Sequence, residues 1–461
     1  MQRKKLHATG KGAGVPSRNM TGADQTSAAL NERLNLACDL MDAIVDRENL
    51  NRAYQQVKAN KGAPGIDGMK VCEIFAWIKD HKDELLAALV AGEYEPQPVR
   101  AVEIPKVDGG KRLLGIPTVI DRLIQQAILQ VLQPQYESRF SHSSYGFRPG
   151  RSAHQAVLKG AKYVSEGRGI VVDIDLEKFF DRVNHDQLMG LLAKDIGDKV
   201  LLKLIRGYLE AGMFIGGFVS ARTAGMPQGG PLSPLLANIL LDQLDKELEK
   251  RGHCFCRYAD DCNIYLGSIK AGKRVMASIS RFIEGRLKLK VNWEKSAVAP
   301  VAERKFLGYQ ITAKGLLRIA KESRNKMKAR VREITRRNRG AAFETVLKEL
   351  KSYLTGWMNY YQLIHSNWRL KELDGWIRRK VRCYRLKQTK GGKMLRRFLI
   401  NQGVPVQQAR QLASSGRGWW RLSRTPQASR AMGNKWLADV GLVSLEQRYN
   451  TLNLSKKPPY T

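Results

Sequence analysis

The sequence predicts an α+β protein in which short strands and helices are mixed up to about residue 312 and basic helices follow. Short apolar runs bounded by glycine, proline or aspartate are typical of strands, and a three-to-four-residue apolar period is typical of helices. From residue 313 to residue 400 the helical period continues, with 25 lysines and arginines against 6 acids. This change in composition predicts a separate, helical domain.

The charge of the chain predicts a polyanionic partner. Its 461 residues include 79 lysines and arginines and 43 acids, a formal net charge of +36, and nucleic acid is the usual partner of such a surplus. A basic structural protein without chemistry would share this composition. The six cysteines form no Cys-x-x-Cys pair or disulfide framework, and no secretory or membrane-spanning segment is recognisable. We predict a cytoplasmic protein that contacts no membrane.

The N-terminal part is predicted to be a tail followed by helices. Residues 1–27 are rich in glycine, lysine, serine and threonine, which is typical of a disordered basic terminus. Helical periodicity runs over residues 28–58 and 74–90. The glycine-rich loop 61–68 lies between them and could approach a phosphate, with Lys61 as its cation, although an ordinary loop fits equally well.

Residues 100–117 predict a β-hairpin with cationic strand ends. Arg100 and Lys106 bound the first strand, an Asp-Gly pair supplies the turn, and Arg112 on the return strand is expected close to Lys106. Such a hairpin could close over a triphosphate or form a solvated sheet edge.

Two loops combine features that suit nucleic acid. Aromatic residues and arginines alternate from Ser144 to Ser152, and stacking together with phosphate pairing makes Arg148 a candidate template contact. Residues 223–234 form a glycine- and proline-rich turn before a predicted helix, 235–249. A helix N-terminus after such a turn can present N–H groups to a nucleotide or a template strand.

Two acids interrupt the apolar strand predicted at residues 170–176. Asp173 and Asp175 are two positions apart, so their side chains share one face. Acids within an apolar strand are unfavourable unless they meet a cation, which favours a metal site. The residues themselves leave open which of the two acids would be the ligand.

The sequence Tyr258-Ala259-Asp260-Asp261 joins two further predicted strands in a tight hairpin. Adjacent carboxylates repel each other, and a divalent cation at the tip would remove that repulsion. An exposed Asp-Asp turn is the plainer alternative. A helix at 275–287 and short strands at Leu289–Ser296 and Lys305–Ile311 are predicted to follow.

The region after residue 312 predicts amphipathic helices with basic faces. Four cations at helical spacing share one face and are the candidate RNA contacts: Lys321, Arg324, Lys328 and Arg332. An aromatic stripe is predicted to pack in the core: Trp357, Tyr360, Tyr361 and Ile364.

Eight blocks of this sequence resemble, in order and at similar spacing, those of the reverse transcriptases encoded by mobile group II introns. The blocks are Lys61–Gly68, Arg100–Pro117, Tyr145–Ala153, Val171–Asp181, Met226–Pro234, Tyr258–Asp261, Asn292–Ser296 and Phe306–Gly308. The resemblance covers the chain from about residue 48 and implies a right-hand polymerase of fingers and palm with an antiparallel palm sheet, followed by an α-helical thumb. The implied domains are an N-terminal extension with an RNA-binding loop at 61–68 (28–95), fingers and palm (96–312), thumb and maturase (X) domain (313–400) and a basic C-terminal segment with possible DNA or RNA binding (401–461).

The resemblance also implies a metal site. Asp260 and Asp261 would be two of three metal-binding aspartates. In such polymerases the remaining aspartate lies five residues before a bulky aromatic, which selects Asp175 because Phe180 follows it at that distance. The carbonyl of Leu176 is a further implied ligand, and the cofactors would be two Mg²⁺ ions with dNTPs as substrates. Lys295 is the candidate to protonate pyrophosphate.

Further contacts are implied in the same way. Phe180 would reject ribonucleotides by clashing with their 2′-hydroxyl. The implied nucleotide-binding residues are Arg100, Lys106, Arg112, Phe180 and Gln228. The implied template and primer contacts are Lys61, Arg148, Gly229, Tyr258, Phe306, Leu307 and Gly308.

The implied function is that of an RNA-directed DNA polymerase and intron maturase. Such a protein binds its group II intron RNA, assists splicing and copies the RNA from a primer during target-primed retrohoming. Its partners would be the intron RNA, an RNA template with a DNA primer, and target DNA, with nucleoid association when bound to DNA; the sequence does not predict an oligomeric state. The chain lacks the Cys-x-x-Cys pairs of the endonuclease domain found in many members, so it resembles the endonuclease-lacking bacterial type. A domesticated reverse transcriptase acting in repair or defence and a non-catalytic splicing cofactor are the alternatives.

Overall fold

A computed structural model describes residues 40–105 and 110–454. The predicted disordered terminus, Lys106 and the Asp-Gly turn beside it lie outside the described residues. The chain divides into two compact units, the first comprising Met1–Arg139 with Lys178–Leu240 and the second Phe140–Glu177 with Leu241–Thr461. No helix in the described part of the chain is long and apolar enough to cross a membrane.

Nineteen α-helices lie in the described residues. They are α1 Leu40–Val45, α2 Arg47–Asn60, α3 Ile74–Ala91, α4 Val119–Glu137, α5 Ala153–Ser165, α6 Phe179–Arg182, α7 His185–Leu192, α8 Lys199–Glu210, α9 Ser233–Lys250, α10 Ile269–Gly285, α11 Lys321–Ile334, α12 Phe343–Tyr360, α13 Trp368–Gln388, α14 Gly392–Asn401, α15 Val406–Ala413, α16 Trp419–Leu422, α17 Pro426–Ala431, α18 Asn434–Asp439 and α19 Leu445–Leu454.

The same residues contain ten strands. They are β1 Val99–Pro105, β2 Lys111–Ile116, β3 Ile170–Ile174, β4 Met213–Ile215, β5 Phe218–Ser220, β6 Cys254–Tyr258, β7 Asp261–Leu266, β8 Ala297–Pro300, β9 Tyr309–Ile311 and β10 Leu317–Ile319. Helices and antiparallel sheets with a helical C-terminal region confirm the predicted α+β class.

The first unit combines helices with a four-stranded sheet in the order β2-β1-β4-β5. The predicted hairpin forms: β1 and β2 pair antiparallel, with Ile104 opposite Arg112, and β4 pairs parallel to β1. The sequence interpretation missed β4 and β5, which are three residues each and too short for a clear alternation.

A buried acid, Asp121, connects two parts of the first unit. Thr118 begins α4 as its cap, and the Thr118 hydroxyl donates to Asp121 at 2.7 Å, while the Tyr94 hydroxyl donates at 2.9 Å. Burial, opposed by these hydrogen bonds, raises the pKa of Asp121 to about 6. The polar contacts that this acid accepts therefore fix α4 to the segment before β1.

The second unit contains the four-stranded antiparallel sheet β6-β7-β3-β8 and a helical region built around a large apolar core. Within the predicted aromatic stripe, Trp357, Tyr361 and Ile364 are buried, which confirms packing as their role. A smaller core joins the end of α13 to α14–α17.

Two predicted strands of the second unit are wrong in extent. Leu289–Ser296 is not a strand: Val291 makes an isolated bridge with Leu176, a turn follows, and β8 begins only at Ala297. The strand predicted at Lys305–Ile311 is reduced to β9, because Leu307 and Gly308 adopt left-handed backbone conformations with φ of 50° and 79°. In both places a turn precedes the strand.

The pKa of Asp121 leads to a prediction about stability. Because its pKa is raised in the folded protein, the stabilisation linked to its protonated form is complete below the unfolded pKa near 3.8 and is lost as pH rises through about 6. The free energy of unfolding of the unaltered protein, minus that of Asp121→Asn, should therefore fall between pH 4 and pH 7. Urea unfolding at several pH values measures this difference, and a pH-independent difference would contradict the assignment.

Candidate active site

The aspartate turn forms the tip of the β6–β7 hairpin in the second unit. The two strands pair as far as Tyr258 and Asp261, so Ala259 and Asp260 make a two-residue loop. Ala259 has a φ of 56°, the left-handed conformation that tight hairpin loops require. Asp260 therefore stands at the tip, and Asp261 is the first residue of the return strand.

A fully buried arginine supports this turn from below. Arg257 and Asp245 are both inaccessible to solvent, and the Arg257 guanidinium contacts the Asp245 carboxylate at 2.8 and 2.5 Å. Arg257 Nη1 also donates to the carbonyl of Ala259 at 2.9 Å. The ion pair therefore holds the loop that carries Asp260.

The loop before α5 packs against the other side of the hairpin. Ser144 bridges to Arg257, and a side chain at Gly146 would overlap the backbone nitrogen of Ala259. Arg148, predicted to contact the template, is buried and donates to the carbonyls of Ser141 and Ser144 at 2.6 and 2.9 Å. This burial argues against direct template contact and indicates that Arg148 shapes the loop.

The sheet brings the second pair of acids to the same turn. In the β3–β7 register Ile174 lies opposite Cys262, and the same register extended by one residue places Asp175 opposite Asp261. Asp261 reaches solvent, yet its surroundings are dense enough that burial raises its pKa to about 7, helped by the negative charges of Asp260, Asp173 and Asp175. Four carboxylates are thus electrostatically coupled at one end of the palm sheet.

Three of these acids line a cavity of about 740 Å³ in the second unit. Its wall includes Asp173, Asp175 and Asp261, and cations face them from the same cavity, among them Lys295 and Lys305. The charge of Lys305 lowers the pKa of Asp261, opposing the carboxylates. The site therefore combines acids suited to a cation with bases suited to a phosphate.

The arrangement and the donor atoms of these acids determine whether they suit a metal ion. Within residues 40–105 and 110–454, no group of three or more histidine, cysteine or acidic side chains is positioned as a ready-made cage. The donor chemistry nevertheless fits Mg²⁺, which is bound through carboxylate oxygens.

The structure distinguishes the two acids that the sequence left open. The Arg304 guanidinium contacts Asp173 Oδ2 through Nε at 2.9 Å and Nη2 at 2.6 Å. Asp175 is instead bonded to the chain near Lys295 through its backbone: its N–H donates to Ser296 Oγ at 2.9 Å. Asp173 already has a cationic partner, which leaves Asp175 as the better metal ligand.

The predicted primer-contacting turn is held by helices α11 and α12. The Tyr360 hydroxyl donates to the carbonyl of Leu307 at 2.8 Å, and Ser323 Oγ donates to that of Gly308 at 2.9 Å. Phe306 is buried beneath the turn. The segment is therefore rigid, with its backbone on the wall of the catalytic cavity.

In the first unit, loop 61–68 is tied down by arginines. Arg100 Nε donates to the carbonyl of Pro64 at 3.0 Å, and Arg122 donates to that of Ala63 at 2.7 Å. A Cβ at Gly62 would lie 2.0 Å from Arg122 Nη1, so a larger residue there would displace this guanidinium. The contact with Pro64 also argues against Arg100 as a triphosphate ligand, whereas Lys61 and Arg112 remain exposed.

The backbone of the other nucleotide-binding candidates of the first unit is hydrogen-bonded to neighbouring segments. The carbonyl of Phe180 accepts a hydrogen bond from Met226 N at 2.7 Å, and that of Gln228 accepts one from Gly115 N at 2.9 Å. Gly229 has a φ of 137°, and a Cβ there would be 2.5 Å from the carbonyl oxygen of Gly115. Only glycine fits that position.

Sequence reasoning missed the residues that hold the site together: Asp245, Arg257, Ser296, Arg304 and Lys305. The only local signal was the arginine directly before the aspartate turn, since an arginine inside an apolar strand needs a buried acid. Asp173 and Arg304 are 131 positions apart, and no local pattern joins them.

Comparison with known protein families identifies the class of protein to which this chain belongs. The family described as reverse transcriptase (RNA-dependent DNA polymerase) matches residues 104–311, and the group II intron maturase-specific domain matches residues 324–401. The chain is therefore an RNA-directed DNA polymerase with an intron maturase domain. It belongs to the group II intron reverse transcriptase/maturase family.

Individual relatives agree with this family. Protein YkfC of Escherichia coli (strain K12) is 33% identical over 316 residues, 60% of this chain and 83% of that protein. Group II intron-encoded protein LtrA of Lactococcus lactis subsp. cremoris is 40% identical over 195 residues, 42% of this chain but only 32% of LtrA. A solved partial Cas6-RT-Cas1–Cas2 complex has a TM-score of 0.35 at 26% identity, covering 54% of this chain and 43% of that one, a likeness too slight to support a conclusion.

The buried ion pair under the turn leads to a prediction. Arg257→Gln or Asp245→Asn leaves an uncompensated buried charge, and each should lower the free energy of unfolding by about 3–5 kcal/mol. Arg257→Met combined with Asp245→Leu removes both charges and should lower it by much less. Thermal or urea unfolding of the three variants tests this, and equal losses in single and double variants would show that the pair does not act as a unit.

Proposed function

We propose that this chain binds its group II intron RNA, assists its splicing, and copies it into DNA by nucleotidyl transfer at the aspartate turn. The observation that carries the proposal is the coupling of Asp175, Asp260 and Asp261 in a stretch that matches the reverse transcriptase family. Four interacting acids at one sheet end are unfavourable for packing alone, since each raises the free energy of ionising its neighbour. A site for divalent cations accounts for them.

The proposed chemistry assigns each group one task. Asp175, Asp260, Asp261 and the carbonyl of Leu176 would hold two Mg²⁺ ions, which activate the primer 3′-hydroxyl and stabilise the departing pyrophosphate. Lys295, exposed on the cavity wall, would protonate that pyrophosphate. The backbone of Leu307 and Gly308, with Tyr258 at the hairpin, would position the primer end.

The residues of the first unit would bind the incoming dNTP and the template. We assign the triphosphate to Arg112 together with Lys106, and the exclusion of ribonucleotides to the ring of Phe180. Gln228 and Gly229 would contact the nascent pair. The exposed Lys61 would contact RNA.

The maturase role is proposed for a cationic surface of the second unit. Lys328 and Arg332 lie over the ring of Trp376, at 6.0 and 5.6 Å from its centroid, and Lys380 lies between Trp376 and Trp420, at 5.8 and 4.8 Å. Residues 375–438 contain sixteen lysines and arginines and no acid. Burial lowers the pKa of Lys380, and the positive charges of Arg332, Arg337 and Arg379 lower it further.

An anionic partner would relieve this repulsion, and a polyphosphate backbone supplies charge at the required density. The maturase-specific match over residues 324–401 favours intron RNA as that partner. Cations already cover the rings of Trp376 and Trp420. These rings would therefore position the cations and would not stack on RNA bases. Lys321 and Arg324, on the same helix, extend this surface. We further propose target DNA as a partner, retrohoming as the cellular process, and the bacterial cytoplasm as its location.

Removing a carboxylate tests the polymerase assignment. Asp260→Asn and Asp261→Asn should each abolish primer extension on an RNA template, because a metal ligand is lost, while binding of intron RNA stays unchanged. Asp80→Asn, an exposed acid on α3, serves as the matched control and should extend primers normally. Extension by the Asp261→Asn variant at the unaltered rate would refute the assignment.

Removing cations tests the RNA surface. Lys328→Gln with Arg332→Gln should weaken binding of a group II intron transcript and reduce the slope of log K against log salt by roughly 1 per cation. Lys79→Gln with Lys82→Gln removes the same charge from an exposed helix of the first unit and should leave the slope unchanged. Binding is measured by fluorescence anisotropy between low and physiological salt. Equal slopes in both double variants would exclude this surface.

A further inference from the structure

Arg304 joins two parts of the catalytic cavity that are distant in sequence. Its Nη2 donates both to the carboxylate of Asp173 and to the backbone carbonyl of Lys295, each at 2.6 Å, and its Nε makes a second bond to Asp173 at 2.9 Å. Arg304 and Asp173 are partly buried, with side-chain exposures of 30% and 20%. A planar guanidinium that bonds both groups along its Nε–Nη2 edge leaves the Lys295 carbonyl little freedom relative to β3.

The turn that carries Lys295 is also attached to Asp175. Asn292 N–H donates to the carbonyl of Asp175 at 2.8 Å, Asp175 N–H donates to Ser296 Oγ at 2.9 Å, and Ser296 N–H closes the turn onto Asn292 at 2.8 Å. Arg304 adds the contact nearest Lys295 itself. The turn is therefore bonded to the strand end on both sides of Lys295.

We propose that Arg304 is a positioning residue that holds Lys295 at the cavity, and that Asp173 anchors Arg304 and is not a metal ligand. This inference rests on the proposed polymerase function. It assigns the acid at position 173 a task different from that of Asp175, although both share one face of the strand. It also accounts for the presence of an arginine beside the carboxylates of this cavity.

A purely electrostatic role for Arg304 makes a different prediction from a positioning role. Lysine would supply the same positive charge to Asp173, but its single ammonium lacks the fork that reaches a carboxylate and a carbonyl together. If the fork matters, Arg304→Lys should behave like Arg304→Gln. If only charge matters, Arg304→Lys should restore activity.

The test measures kcat and the KM for dNTP in primer extension by the full-length protein. Arg304→Gln should lower kcat by about 10²-fold, the effect of misplacing a reacting group by about 1 Å, and should leave KM nearly unchanged. Arg304→Lys should not recover the loss. Arg206→Gln is the matched control and should retain normal kcat. It also removes an arginine that makes two contacts, in this case with the carboxylates of Asp186 and Glu210.

Two further variants test the route of the effect. Lys295→Ala with Arg304→Gln should be no slower than Lys295→Ala alone, because a residue that acts through Lys295 has nothing left to position. Asp173→Asn keeps an oxygen that accepts from Arg304 and should lose at most about tenfold in kcat, whereas Asp175→Asn should abolish extension.

The outcomes separate this inference from the proposed function. Additive losses in the Lys295/Arg304 pair, recovery by Arg304→Lys, or loss of all activity in Asp173→Asn would each overturn the inference while the polymerase assignment stands. Unaltered extension by Asp261→Asn would overturn the polymerase assignment itself. Thermal unfolding of each variant identifies loss of fold, and Asp173→Asn, which preserves the shape of the side chain, decides the question if Arg304→Gln does not fold.

Discussion

The active-site geometry of the second unit depends on one buried ion pair, Arg257 with Asp245. Neither side chain reaches solvent, and the arginine also binds the carbonyl of Ala259 inside the aspartate loop. A two-residue hairpin loop with adjacent acids would tend to open under its own repulsion. A charge anchored in the interior, and linked to the loop through the backbone, resists that opening. The supporting ion pair and the carboxylates of the turn therefore lie on opposite sides of the hairpin.

The sheet around this hairpin concentrates negative charge at one end. Strand register places Asp175 opposite Asp261, and the loop places Asp260 beside them, so burial and the neighbouring acids together raise the pKa of Asp261 to about 7. Cations line the same cavity, and Lys305 partly offsets the acids. A cavity that contains both acids and bases suits a reaction in which metal-bound phosphate is displaced. Alignment and charge neutralisation can then provide most of the catalysis.

Much of this could be predicted from the sequence because the relevant signals are local. The hairpin at Tyr258–Asp261, the strand with acids two positions apart, and the aromatic stripe of α12 follow from periodicity and turn residues. The missed features depend on contacts between distant residues. The sequence around Arg148 is typical of a surface cation, and only the structure shows its burial under the loop. The proximity of Gly62 to Arg122 likewise joins residues that are distant in sequence. The strand predicted at Leu289–Ser296 failed because the chain turns there to bond with Asp175.

The two acids at the C-terminal end of β3 and just beyond it show why a strand pattern alone cannot assign a metal ligand. Alternation places Asp173 and Asp175 on one face, and both carry the same charge, so the sequence treats them alike. Their difference arises from Arg304, which pairs with one and leaves the other facing the hairpin. The positive charge of Arg304 opposes the negative charge of Asp173, so the site holds less surplus negative charge than four acids alone would suggest. An acid that could compete for metal is thereby turned into part of the framework that supports the cavity.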